Sequence, residues 1–290
     1  MKKTHLYFIA PLSYANDSLI GIQIASSAKI EKWNIDKTVD IISQCGVFDC
    51  NAVHTILREL YCLDQDEEHA YVIVGSAEDI ERAENAIKIM RLFKEGTIDI
   101  AHIYSYEKIK GSIEPVYSRE SSLISPQIQY FLTSKEKREL TTFMKHYTVP
   151  FLLPYVQLAF DNFDQSYSSH NMNMAFLSLM IAVEVLFNDG EHELKYRITR
   201  GMAVLLGNNQ LDSRQIFSHM KKLYDKRSRL VHTGKASITL EDLIALRQYL
   251  RFAITKLLYL GLNKTELSVS LSENGFGQKI KQGKVSKQSI

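Results

Sequence analysis

The sequence predicts two domains of different class: an α+β domain over about residues 1–130, then an all-α bundle of about five helices over 131–262. Three observations carry this reading. Short β-rich apolar runs are interleaved with amphipathic helical stretches in the first third of the chain. From "TSKEKREL" (133–140) onward every structured segment has helical period. Past Asn263 the composition turns polar and rich in Ser, Lys and Gln, which predicts a basic tail over 263–290 that ends in disorder.

In the first domain, "HLYFIAPL" (5–12) and "HAYVIVGS" (69–76) read as strands ending in turn residues. "NAVHTILRELYCL" (51–63) and "SAEDIERAENAIKIMRLFKEG" (76–96) read as helices, the second with Ser76 as N-cap, Glu78 and Asp79 in its first turn and Gly96 as stop. "TIDIAHIYSY" (97–106) is a further strand, and "KGSIEPVYSRESSLISPQ" (110–127) reads as a loose connection. Gly75 is taken as a plain strand-to-helix turn, since Glu78 and Asp79 beside it would repel an anion.

In the second domain, Thr133 or Ser134 followed by Glu136 opens a helix running to about His146. Pro150 and Pro154 bound or open the next, at about 151–165. Others follow at about 171–187, over "EHELKYRITRGMAVLLG" (191–207), from Asp212 to about His232 with Gly234 as stop, and from Thr239 to Gly261. Short loops between long helices imply antiparallel neighbours.

Composition narrows the class of function. The chain is 45% hydrophobic and 23% charged, as in soluble globular proteins, and its net charge of +2 announces no nucleic-acid partner. Basic surface is local, at residues 221–235 and in the four-lysine end "GQKIKQGKVSKQSI" (277–290). Cys45, Cys50 and Cys62 form an odd, sparse set without CxxC spacing, which argues against a disulfide scaffold and against zinc. No Asp/Glu/His cluster has ligand spacing, so no metal or cofactor is expected. The apolar stretch near the start is shorter than a signal peptide needs. The most apolar run, "AFLSLMIAVEVLF" (175–187), holds an internal glutamate and is too short to span a bilayer. These features place the protein in a reducing cytoplasm, away from membranes.

Two features carry chemistry. "LYDKRSRLVHTGK" (223–235) surrounds one histidine with four cations and stops at Gly234. On a helix Arg227 and His232 lie about 7.5 Å apart along the axis and about 140° around it, so they do not stack as i,i+4 neighbours. Asp225 sits four before Arg229, an expected surface ion pair. The bare Arg-x4-His spacing is weakly specific, and "RQIFSH" (Arg214 to His219) fits it equally well. The second feature is Glu184, the charge inside the apolar helix. A buried carboxylate needs a cation, and Arg197, Arg200 or Arg227 could supply it, as a packing clasp or by orienting a catalytic arginine.

The order "IAVEVLFND", "ELKYRITRGMAVLLGN", "IFSHMKKLYDKRSRLVHTGK" and a closing amphipathic helix resembles the HEPN superfamily of helical bundles, most closely its Apea-like branch. The likeness covers about residues 150–262, and its most specific part is Tyr-x2-Arg-Ser-x2-Val-His-x-Gly, from Tyr224 to Gly234. The resemblance implies a homodimer that pairs two Arg-x4–6-His motifs into one metal-independent RNA-cleaving site, in a toxin-like or antiviral defence role. It assigns Arg227 and His232 as catalytic residues, with Ser228 at an often polar position; Glu184 would support the site by orienting the arginine, and Tyr224 reads as a packing residue one turn before Arg227 or a surface for a base to stack on. Lys221, Lys222, Lys226, Arg229 and Lys235 would position the RNA backbone. Arg214 and His219 stand too early relative to the glycine and read as structural or surface residues. A second reading stays open: a non-catalytic HEPN module binding a nucleotide, RNA or a partner protein. The first domain resembles no family and is left a sensing or recruiting role toward an unidentified ligand or protein.

Overall fold

The computed structural model describes residues 6–44, 68–100, 102–109, 112–120, 128–169, 171–188, 190, 193–235 and 237–283. The chain divides into two compact units, Met1–Thr148 and Val149–Ile290. The first contains β1 (Leu6–Ser13), β2 (Lys29–Asn34), α1 (Ile35–Gln44), β3 (His69–Ser76), α2 (Ile80–Phe93), β4 (Asp99–Ile100), β5 (His102–Ile109), β6 (Ser112–Glu120) and α3 (Ser134–His146).

The sheet runs β2-β3-β1-β5-β6, every neighbour antiparallel, with β4 paired to the end of β1. Central β1 is covered on both faces, and its period of two divides the core. Phe8, Ala10 and Leu12 point to one face, where Ile87 and Met90 of α2 and Leu140 of α3 pack. Ile9 points to the other, with Val72, Tyr104 and Tyr106 of the sheet and Val39 and Ile42 of α1. Gly75 lies within β3 and not in a turn: a Cβ there would stand 2.8 Å from Ala28, so the absence of a side chain lets the two backbones approach.

Besides Gly75, three sequence expectations change in this unit. Within the stretch read as a loose connection, Ser112–Glu120 forms β6, a partner of β5 at the sheet edge, and the rest lies outside the described residues. Ser76 makes no capping hydrogen bond, because a 3₁₀ turn at Ala77–Asp79 precedes α2. Helix α3 belongs to the sheet unit, which moves the division from about residue 130 to 148. Leu140 supplies the reason as a core residue, and Lys94 ties the helix start by donating to both oxygens of Glu136 at 2.7 and 2.8 Å. The expected helix at 51–63 and the three cysteines lie outside the described residues.

The described residues of the second unit are helical: α4 (Pro154–Gln165), α5 (Met172–Phe187), α6 (Leu194–Leu206), α7 (Gln210–Thr233), α8 (Leu240–Leu260) and α9 (Lys264–Glu273). Asn171, Asn209, Thr239 and Asn263 each cap a helix start by accepting a backbone N–H, and Pro154 opens α4. Helix α4 packs on α5, α6 on α7, and α8 against α4, α5 and α6. The tail expected over 263–290 is corrected as far as residue 283, and its end at 284–290 lies outside the described residues. Asn263 and Glu266 form a capping box that starts α9. Beyond it Gly277 donates to Ser213 Oγ at 3.0 Å, Ile280 is buried, and Gly283 donates to the Leu260 carbonyl at 2.9 Å. Among the described residues no helix is long and apolar enough to cross a membrane.

Candidate active site on helix α7

Helix α7 is 24 residues long and buries Ile216, Met220, Leu223 and Tyr224, one stripe at helical spacing. Arg227 is the next position on that stripe, which carries its guanidinium toward α5. There Nη2 stands 3.1 Å from Glu184 Oε1, with the two side chains 24% and 20% exposed. Of the three arginines open to Glu184 in the sequence, Arg227 is the one that meets it. Arg200 instead donates to the carbonyls of Leu271 and Asn274.

The pair is an ionic contact without hydrogen-bond geometry, since Glu184 Oε1 is enclosed and accepts no hydrogen bond. Burial pushes the Glu184 carboxyl above the usual carboxylate range, and the Arg227 charge partly opposes it. Tyr224 flanks the pair, its ring centre 5.9 Å from the guanidinium carbon, and burial raises its phenol.

His232 occupies the last turn of α7, where Gly234 ends the helix at φ 65°, a left-handed conformation suited to glycine, and donates to the Leu230 carbonyl. His232 is exposed and has no hydrogen-bond or ion-pair partner among the described residues. The structure therefore brings Tyr224, Glu184 and Arg227 together and leaves His232 apart from them, with half-buried Ser228 between.

The basic residues separate into two groups. Lys221, Lys222, Arg229 and Lys235 are exposed. Lys226 is not, because Nζ donates to Asp242 Oδ2 at 2.5 Å, and Asp242 belongs to the capping box that starts α8. Asp225 pairs with Lys195 of α6, not with Arg229 as expected. Arg214 is exposed and His219 Nδ1 stands 3.0 Å from Tyr249 Oη, a structural contact.

Sequence reasoning missed the buried arginines Arg91, Arg247 and Arg251, since each looks like an ordinary helix cation. It also missed Asp242 as the partner of Lys226, although Thr239-x-x-Asp242 is a legible capping pattern. No group of three His, Cys, Asp or Glu side chains among the described residues could hold a metal ion. Comparison with protein-family models, with curated proteins and with solved structures gives no match. Helix α7 thus carries a half-buried guanidinium and, among the described residues, an imidazole without a partner, about 140° apart around it.

Proposed function

We propose that the chain is a metal-independent endoribonuclease of HEPN type, cytoplasmic, whose site is completed by a second copy. The observation that carries the reading is the Glu184–Arg227 contact, which aims a guanidinium without occupying all its donors. In this mechanism the ribose 2′-hydroxyl attacks the adjacent phosphorus as its proton passes to an imidazole. The bond to the 5′-oxygen breaks, and that oxygen receives a proton, leaving a 2′,3′-cyclic phosphate and a 5′-hydroxyl.

His232 serves the proton transfers, since an imidazole can act as either base or acid. Arg227 binds the phosphate oxygens as a fork and stabilises the charge that develops on the phosphorane. Because the two lie on different faces of α7, one scissile phosphate is served by residues of two copies, which accounts for the open state of both in one chain. Lys221, Lys222, Arg229 and Lys235 hold the RNA backbone. The resemblance extends the role to toxin-like or antiviral defence, with the first unit as the recruiting module.

The test is RNA cleavage in EDTA by wild type, Arg227→Ala and His232→Ala, with circular dichroism to confirm folding. Cleavage by wild type alone is expected. Equal activity in all three would sink the enzyme and leave the Glu184–Arg227 pair as the packing clasp of a binding module.

A further inference from the structure

Helix α9, read from sequence as tail, creates a cavity that shares no residue with the Arg227 site. Its volume is about 440 Å3, within the range of small-molecule sites. Lys264, Ser268 and Ser272 of α9 and Tyr196, Arg197 and Arg200 of α6 line it, beside apolar residues and, among the described residues, no acidic one. Two of the cations, Lys264 and Arg200, are held by backbone carbonyls. Lys264 donates to the carbonyls of Val185 and Leu186 at 2.7 and 2.6 Å, and Arg200 to those of Leu271 and Asn274. Carbonyls fix the direction of such groups and leave their charge in place, so the cavity presents concentrated positive charge with its geometry set in advance. Tyr196 stands at the rim, 53% exposed.

We propose that this cavity binds a small phosphorylated ligand bearing two or more negative charges. Guanidinium groups and serine hydroxyls match phosphate oxygens, and the fixed charges of Lys264 and Arg200 suit more than one phosphate. The exposed Tyr196 ring gives a ring-bearing ligand a surface to lie on.

Isothermal titration of the full chain at physiological salt tests this with inorganic pyrophosphate, ADP and citrate. Saturable pyrophosphate binding below about 1 mM is expected, with ADP equal or tighter and citrate at least about tenfold weaker. ADP tighter by about tenfold would add contact between its base and Tyr196. Ser268→Glu, which places a carboxylate in the cavity, and Lys264→Ala are each expected to weaken pyrophosphate binding about tenfold or more while the helical spectrum is kept. His232→Ala should bind as wild type does. Absence of saturable binding by wild type, citrate binding as tight as pyrophosphate, or binding that survives both cavity substitutions would overturn the proposal.

Discussion

Arg91 of the sheet unit and Arg227 of the helical unit each face a carboxylate, and they do so differently. Arg91 is 3% exposed, its Nη2 stands 2.6 Å from Asp99 Oδ1, and its Nε donates to the Ile98 carbonyl at 2.9 Å. Asp99 Oδ1 also accepts from the Ile100 backbone, so the cluster is closed by several bonds. Arg247 is held in the same manner, fully buried, donating to Ser166 Oγ and the Ser166 carbonyl, with its guanidinium 3.8 Å from the Tyr167 ring centre. Arg227 instead has one ionic contact at 3.1 Å, and the oxygen it meets accepts no hydrogen bond. A cation that holds a fold is surrounded by acceptors. One that keeps donors in reserve at a half-open position is arranged to give them to something else.

Exchanging each arginine for alanine should invert the two phenotypes, and this is the largest expected effect. Arg91→Ala strips the partner from a nearly buried carboxylate and should cost about 3–5 kcal/mol of stability, read as a fall in the urea midpoint. Arg227→Ala should cost less than about 1 kcal/mol, yet lower RNA cleavage by about 10²–10³-fold. His232→Ala should lower cleavage by about 10²–10⁴-fold with no change in midpoint, since among the described residues nothing holds that imidazole. An Arg227→Ala variant as unstable as Arg91→Ala would erase the distinction and make Arg227 a packing residue.

Acid titration sharpens the same contrast between carboxylates. The Lys94 hydrogen bond, with the Thr133 backbone donor, holds Glu136 at about 2, below its ordinary value of 4.5. Its stabilisation is therefore present above pH 4.5 and lost as pH falls toward about 2. Glu184 has the opposite sign, because burial raises its carboxyl above 4.5. The unfolded chain releases that proton first, so this group's contribution declines as pH rises through 4.5 toward the raised value. Urea unfolding from pH 3 to 7 should show Glu136→Gln less stable at pH 7, by up to about 1 kcal/mol, with a flatter acid limb. Glu184→Gln should hold its stability, relative to wild type, better at pH 7 than at pH 4. Parallel profiles for the two variants would contradict the difference in environment.

Most helices of the second unit were legible from ends that carried chemistry of their own. Asn171, Gly207, Thr239 and Gly261 mark boundaries that depend on local hydrogen bonds and left-handed stops, and local signals survive in sequence. Strand β6 was not legible because it is a polar edge strand containing Pro115, next to a register shift opposite Ser105 and Tyr106. Its pairing with β5 is tertiary information that a reading of "SIEPVYSRE" cannot supply. Helix α9 was missed although Asn263 and Glu266 announce it, because charge composition outweighed the cap. At the site, Glu184 and Arg227 were each visible as anomalies. Their pairing was one of three open options, which only the phase of the α7 stripe decided.

The smallest expected effect separates the lysines. Exposed Lys221 and Lys222, if they lie against RNA phosphates, should each contribute about 0.7 to the slope of log binding constant against log salt for a single strand. Lys221→Ala should lower that slope by about this amount and leave unfolding unchanged. Lys226→Ala should do the reverse, because its ammonium is committed to Asp242 at the start of α8. The salt slope should stay as in wild type, while stability falls by a few tenths to about 1 kcal/mol. The two residues lie on one helix within two turns and carry the same charge, so composition alone predicts identical behaviour. A salt slope that drops for both would mean that the Asp242 contact opens when RNA arrives, and the end of α7 would then move with its substrate.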